Sequence, residues 1–433
     1  MQTVADILSG VILPLLLMGA GVFFLCRLGG KILCHPRRLL GALRGEGGKS
    51  AAKALSVALA GTLGVGNIAG VATAIALGGA GAVFWMWVSA LLAMLLKYAE
   101  IVLALRTRRY DREGRPHGGA MFYIKEGIRG RGGAVLAALF AVLCLCCSFT
   151  LGGVIQSSAA TEAMAGVFDL PPLAVGIAIG VVAAVILARG SAKIENACAA
   201  VVPFVCVLFS VASVAVLILR REAIPAAFGV IFKGAFTRRS GSAGVLGFLT
   251  SKALRYGVAR GLVSNEAGCG TAPIAHAAAE MKSPAAQGVW GILEVFVDTV
   301  LLCTMTALVI LVSGVPVGGE GGVMLAVEAY GAVLGQIAAP VLALSVLFFA
   351  FATVLCWSHY GGECLLYLTH KKSAARWMIP AVLLSSVIGA VAAPAVLWEL
   401  TDIIIALMAV LNITALLIQR RAVLAETKDY FSR

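Results

Sequence analysis

Asn67-Ile68-Ala69-Gly70-Val71-Ala72-Thr73-Ala74-Ile75-Ala76 and Asn265-Glu266-Ala267-Gly268-Cys269-Gly270-Thr271-Ala272-Pro273-Ile274-Ala275 are two copies of one text. Both read Asn-x-Ala-Gly-x-x-Thr-Ala and then Ile-Ala, with Pro273 the one insertion. Gly61, Gly64 and Gly66 precede the first copy, and Gly257 and Gly261 precede the second. Both lie inside apolar stretches, so the chain repeats a glycine-interrupted span. Such interruptions at matching positions of two halves point to a transporter binding site.

The whole chain supports that setting. Of 433 residues, 61% are hydrophobic and 13% charged, with a mean hydropathy of +0.98. An ordinary soluble protein is about half apolar and about one quarter charged. Too few polar residues remain to cover soluble domains, so lipid is the expected solvent. The run Ile7 to Cys26 reads as a retained helix, not a signal peptide, because no Lys or Arg precedes Arg27. The eleven cysteines fall mostly in apolar runs without CxxC spacing and read as packing residues.

Apolar spans are expected at 7–26, 51–77, 81–105, 134–162, 172–189, 197–219, 244–280, 287–313, 337–360, 377–393 and 397–418. The chain thus reads as an all-α polytopic membrane protein with about eleven transmembrane helices. One extra N-terminal helix and a basic loop (1–50) precede a first set of five (51–219). A loop with an interfacial helix (220–243), a second set of five (244–418) and a short tail (419–433) follow. Five is odd, so the second set enters from the opposite face, as an inverted repeat with two discontinuous helices. Lys and Arg concentrate in 27–53, 106–131, 371–376 and the tail. The positive-inside rule then places the N-terminus outside and the C-terminus in the cytoplasm, in the cell membrane. Arg220, Arg221, Lys233, Arg238 and Arg239 run against the rule and are assigned to the external loop.

The chemistry of a broken helix is direct. Clustered glycines let backbone unwind and let a ligand approach it. Freed N–H and C=O groups need partners in hydrocarbon. A carboxylate can accept from the N–H groups, and a cation can take the carbonyls. The break therefore suits a small zwitterion plus a cation. Close helix packing is the alternative use of such glycines.

The resemblance extends further than the repeat. Gly78-Gly79-Ala80-Gly81-Ala82-Val83-Phe84-Trp85-Met86-Trp87-Val88, Gly61-Thr62-Leu63-Gly64-Val65-Gly66-Asn67-Ile68-Ala69-Gly70, Ala259-Arg260-Gly261-Leu262-Val263-Ser264-Asn265-Glu266-Ala267-Gly268 and Phe296-Val297-Asp298-Thr299 resemble hallmarks of the alanine/glycine:cation symporter family. The likeness covers essentially the whole chain. It departs at Glu294, where a glycine is usual, at Cys269 for leucine, and at Ala352 for serine. The resemblance implies a fold similar to that of the sodium-coupled leucine transporter. It implies sodium-coupled symport of alanine or glycine by alternating access, with proton coupling or an ion channel as other readings. A monomer suffices for that function.

By the same resemblance, Gly64, Val65 and Gly66 would hold the substrate carboxylate. Gln156, Ser264, Asn265, Glu266, Gly268 and Trp357 would complete the substrate site. The carbonyls of Ala60 and Leu63, the Asn67 amide and the Thr353 hydroxyl would ligate sodium. Asn67 could instead make an interhelical hydrogen bond, and Asp298 within its span reads as either cation-linked or structural. Glu266 could instead bind a proton or brace Arg260, and Trp357 could instead anchor at the membrane interface. Lys97 and Glu100 are expected to snorkel at a span end. No HExxH, GxSxG or Walker motif is present, and the histidines show no ligand spacing, so an enzyme, an ATP-driven pump and an organic cofactor are not expected. Basic residues cluster between spans, which argues against nucleic acid.

Overall fold

The computed structural model describes residues 8, 12–44, 48–236, 251–318, 321–391 and 395–432. The expected starts of the spans at 7 and 244, and Arg238 and Arg239, lie outside these residues.

The chain runs through helices α1 (Leu13–Phe24), which a π-helical turn extends, α2 (Pro36–Arg44), α3 (Gly48–Thr62), α4 (Ala69–Gly78) and α5 (Gly81–Thr107). A two-stranded hairpin, β1 (Arg109–Tyr110) and β2 (Pro116–His117), leads to α6 (Ala120–Gly127), α7 (Arg131–Phe149), α8 (Gln156–Phe168), α9 (Pro172–Ala188) and α10 (Ser191–Leu219). The second half holds α11 (Ile224–Ala235), α12 (Lys252–Asn265), α13 (Ala272–His276), α14 (Pro284–Val295) and α15 (Thr304–Ser313). It closes with α16 (Val323–Leu334), α17 (Ala338–Thr369), α18 (Met378–Val391), α19 (Ala395–Ile418) and α20 (Arg420–Ser432). Among the described residues, eight helical runs are long and apolar enough to cross a membrane, or nine with the bent pair α3 and α4. Pro172–Ala188 is apolar but shorter. The pair α12 and α13 is the second broken helix. Of the eleven expected spans, Pro172–Ala188 and the pair α12 and α13 fall short of that length and hydropathy test.

Two layers enclose the site. The broken pairs α3/α4 and α12/α13 pack with α5 and α14, and α5 is their common partner. Helices α7, α8, α9, α17 and α18 form the other layer, with α9 against α18 and α8 against α17. Phe204, Val207 and Val211 on α10 are exposed. An outward apolar stripe of this kind is a liability in water and the ordinary face of a helix in lipid.

Several glycines serve packing and not unwinding. A Cβ at Gly257 would lie 2.4 Å from the Ala82 carbonyl oxygen, and one at Gly261 would lie 2.6 Å from Ser89 Oγ. Both belong to the continuous helix α12, held close to α5. Gly61 likewise sits inside α3, against Tyr360 and Cys356. Of the glycines preceding the repeats, only Gly64 and Gly66 lie in a break.

Lys97 and Glu100 do not snorkel. Both are fully buried inside the bundle. Lys97 Nζ pairs with Glu294 Oε1 at 3.2 Å, and the ammonium therefore finds a carboxylate within the protein instead of reaching for water.

Candidate functional site

The first break begins where α3 ends. Gly64 takes an extended conformation (φ −103°, ψ −157°), Val65–Asn67 form one 3-10 turn, and the axis bends by 65° before α4. The Val65 N–H donates to Gln156 Oε1 at 3.0 Å. A Cβ at Gly64 would stand 2.8 Å from Gln156 Oε1 and 2.9 Å from Thr353 Oγ1. So Gln156 from α8 and Thr353 from α17 close on the break. The position expected for a substrate carboxylate is taken by an amide oxygen of the protein.

The second break, expected to hold Ser264, Asn265 and Glu266, starts only at Glu266. Ser264 and Asn265 are the last residues of α12, and Glu266 turns the chain with φ +53°, followed by Gly268 at +88° and Gly270 at +79°. Positive φ at the two glycines carries no Cβ penalty, and αL ends helices readily. A Cβ at Gly66 would be 3.5 Å from Ser264 Cα, so the first break touches the last turn of α12 through backbone.

Asp298 joins them. It lies on the π-helical stretch Phe296–Cys303 that continues α14. Asn67 Nδ2 donates to Asp298 Oδ1 at 2.7 Å, and Ser264 Oγ and Thr299 Oγ1 donate to Oδ2 at 2.7 and 2.6 Å. Asn265 Nδ2 donates to Thr299 Oγ1 at 3.2 Å. The two repeat asparagines thus end on adjacent residues, 298 and 299. Asn67 Oδ1 is buried and has no hydrogen-bond partner. A half-turn of that amide would aim an oxygen at the Asp298 carboxylate. That arrangement is repulsive unless a cation lies between, and hard cations take sets of oxygens of this kind.

Glu266 is held as an acceptor. Trp357 Nε1 donates to Oε1 at 3.1 Å and Thr271 Oγ1 to Oε2 at 2.6 Å. Trp357 is 1% exposed and so is no interface anchor. Arg260, the other expected partner of Glu266, lies over the Trp398 ring at 5.1 Å.

Sequence reasoning missed a second polar cluster. Glu100 Oε1 accepts from the Gly270 N–H at 3.1 Å and from Asn412 Nδ2. Asn412 also donates to the Gly268 carbonyl at 2.8 Å, and Tyr123 donates its O–H to Asn412 Oδ1. The break is thereby tied to α5, α6 and α19. The available signal was Lys97-x-x-Glu100 within a span, since intramembrane charges are functional candidates by default.

A cavity of about 1040 Å³ opens at the end that carries the hairpin, lined among others by Lys53, His117, Ile274, Ala278 and Glu363. At its rim His117 Nδ1 meets Glu363 Oε2 at 2.7 Å and Nε2 meets Asp111 Oδ2 at 3.5 Å. The hydrogen bond to Glu363 holds the His117 imidazole above its ordinary range. With the folded value raised, this latch is complete at acidic pH and is lost as pH rises through that range, beyond about 6.5. Amide exchange of the hairpin, corrected for intrinsic rates, should therefore accelerate above neutral pH in the protein but not in His117→Gln; pH-independent protection would refute the latch.

Two broken helices meeting at a buried carboxylate, between two helical layers, define a polytopic transporter of the leucine-transporter fold and not an enzyme. The chain belongs to the sodium:alanine symporter family, whose sequence profile matches residues 1–433. It is similar to the sodium/alanine symporter AgcS of Methanococcus maripaludis, 36% identical over 99% of this chain and 96% of that protein. An uncharacterized transporter of Haemophilus influenzae is 38% identical over 100% of this chain and 97% of its own length. The crystal structure of MhsT in complex with L-phenylalanine shares the fold, with a TM-score of 0.60 and 14% identity over 87% of this chain and 91% of that one. Cation-coupled symport of an amino acid is the activity these findings support.

Proposed function

We propose that the protein couples an inward sodium gradient to uptake of a small neutral amino acid, alanine or glycine, by alternating access. The observation that carries this reading is the Val65 N–H held by Gln156 beside the Asp298 hub. Substrate carboxylate would take over the Val65 and Gly66 N–H groups as Gln156 withdraws. The amino group would face Ser264, Glu266 and the backbone near Gly268, with Trp357 as a wall. Tight contact at Gly64 leaves room for only a small side chain.

One cation would sit between Asn67 Oδ1 and Asp298. A second cation would take the Ala60 and Leu63 carbonyls with Thr353 Oγ1, which stands beside the same break at Gly64. The basic end with the cavity is assigned to the cytoplasm, so this conformer faces inward, with the N-terminus outside, the C-terminus inside and each monomer complete. The two sets of five are assigned to 51–219 and 244–418.

The test is labelled alanine and glycine uptake into proteoliposomes across a matrix of sodium and pH gradients. Uptake indifferent to sodium would overturn the coupling. A proton-coupled variant would place the proton on Glu266. Both Glu266 oxygens accept hydrogen bonds here, which favours a brace. Glu266→Gln offers a single acceptor to two donors, so uptake should fall roughly tenfold with sodium dependence retained. Loss of pH-driven uptake alone would move the proton to Glu266.

A further inference from the structure

The first helix leads into a short basic helix that the transport reading does not use. Along α1 and its π-helical extension, Leu15, Val22 and Leu25 are exposed and apolar. Exposed Arg27 and Lys31 replace them over the last two turns. Such a change on one helix marks the level of the lipid headgroups. The helical run ends at Leu33, and only Cys34 and His35 separate it from α2. Two residues reach at most about 7 Å, so α2 starts at that same level.

Two faces divide α2. Leu39 and Leu43 pack against the core, and Ala42 is buried. The Ala42 carbonyl accepts from Trp290 Nε1 of α14 at 3.3 Å, and Arg38 Nη1 donates to the Tyr430 carbonyl of α20 at 2.7 Å. These contacts hold the helix in place by its back. Arg37, Leu40, Gly41 and Arg44 are exposed on the opposite side. At 3.6 residues per turn those four fall within about 100° of arc. Leu40 is 50% exposed, and a Cβ at Gly41 would meet no atom, so the surface between the two arginines is open. Arg37 and Arg44 stand about 10 Å apart along the axis, and their long side chains can converge on one anionic group.

Charge and apolar surface together select the occupant. No Asp or Glu occurs between Asp6 and Glu46. Among the described residues, Arg27, Lys31, Arg37 and Arg44 form no ion pair. An acidic soluble protein would answer the arginines but not a leucine set among them at headgroup depth. A phospholipid answers both, with phosphate for the guanidiniums and acyl chains for the leucine.

We propose that α2 and the adjoining end of α1 form a docking surface for an anionic phospholipid. The headgroup phosphate lies over Gly41 between Arg37 and Arg44, and the acyl chains lie against Leu40 and the apolar face of α1. The surface is continuous with the lipid face of α1, so a bilayer lipid reaches it without leaving its leaflet.

Phosphatidylglycerol titrated onto the full chain in detergent, with bound lipid counted by native mass spectrometry, tests this against phosphatidylcholine. Phosphatidylglycerol should bind more tightly. Arg37→Gln and Arg44→Gln should each weaken it roughly fivefold, and the pair roughly thirtyfold, as expected for basic residues at an anionic surface. Leu40→Gln should weaken it without any change of charge. Arg129→Gln with Arg131→Gln, a charge-matched pair exposed at the start of α7, should leave it unchanged. In nanodiscs, the amides of 36–44 in the unaltered chain should exchange more slowly with phosphatidylglycerol than with phosphatidylcholine. Equal affinity for the two lipids, or equal exchange in the two nanodiscs, overturns the proposal. An equal loss in the Arg129 and Arg131 pair assigns the binding to diffuse charge and overturns the surface. A dimer in the same spectra that the α2 variants abolish gives the face to a second copy and overturns it as well.

Discussion

Asp298→Asn should reduce sodium-driven uptake at least about a hundredfold while the protein stays folded. Asp298 receives Asn67 on one oxygen and Ser264 and Thr299 on the other. Asparagine keeps the shape and one acceptor. It loses the charge that attracts a cation and turns one acceptor into a donor aimed at donors. Hydrogen bonds to a charged group contribute about 1.5–3 kcal/mol each, so two weakened bonds and the absent charge account for an effect of this size. Uptake measured beside thermal unfolding in detergent separates loss of the site from loss of the fold. Near-normal uptake with unchanged sodium dependence would remove Asp298 from the cation path and leave the Thr353 set.

Lys97→Met should be the most destabilising single change. It leaves Glu294 with His276 as its remaining partner and takes the nearby ammonium from Glu100 and Glu266, all at 0–3% exposure. Breaking a buried pair by removing one partner costs about 3–5 kcal/mol, whereas replacing both members is often near neutral. Lys97→Met combined with Glu294→Gln should therefore recover most of the lost unfolding temperature, since the new amide can pair with His276 Nε2 in either tautomer. A double variant as unstable as the single would show that Lys97 serves Glu100 or Glu266 and not Glu294.

The repeat at Asn67 and Asn265 was legible because it is text, and its glycines marked the broken helices by their effect on backbone freedom. Not every glycine carried that meaning. Gly257 and Gly261 share a neighbourhood with the repeat, yet they bring α12 against α5. An unwinding glycine and a packing glycine look alike until the neighbouring helix is in place. The same holds for Arg260, whose partner is the Trp398 ring far along the chain and not the nearby Glu266. Asp298 was visible as an intramembrane carboxylate, but its place as the junction of both breaks was not.

Composition alone determined that lipid is the solvent, and span count with repeat parity determined the inverted architecture, because both follow from local hydrophobicity and from counting. Only the tertiary structure decided where the buried charges close. Lys97, Glu294 and His276 come from three helices separated by up to 197 positions, and a buried charge is tolerable only with partners that folding supplies. Partnership across that distance has no signature in the periodicity of any one segment.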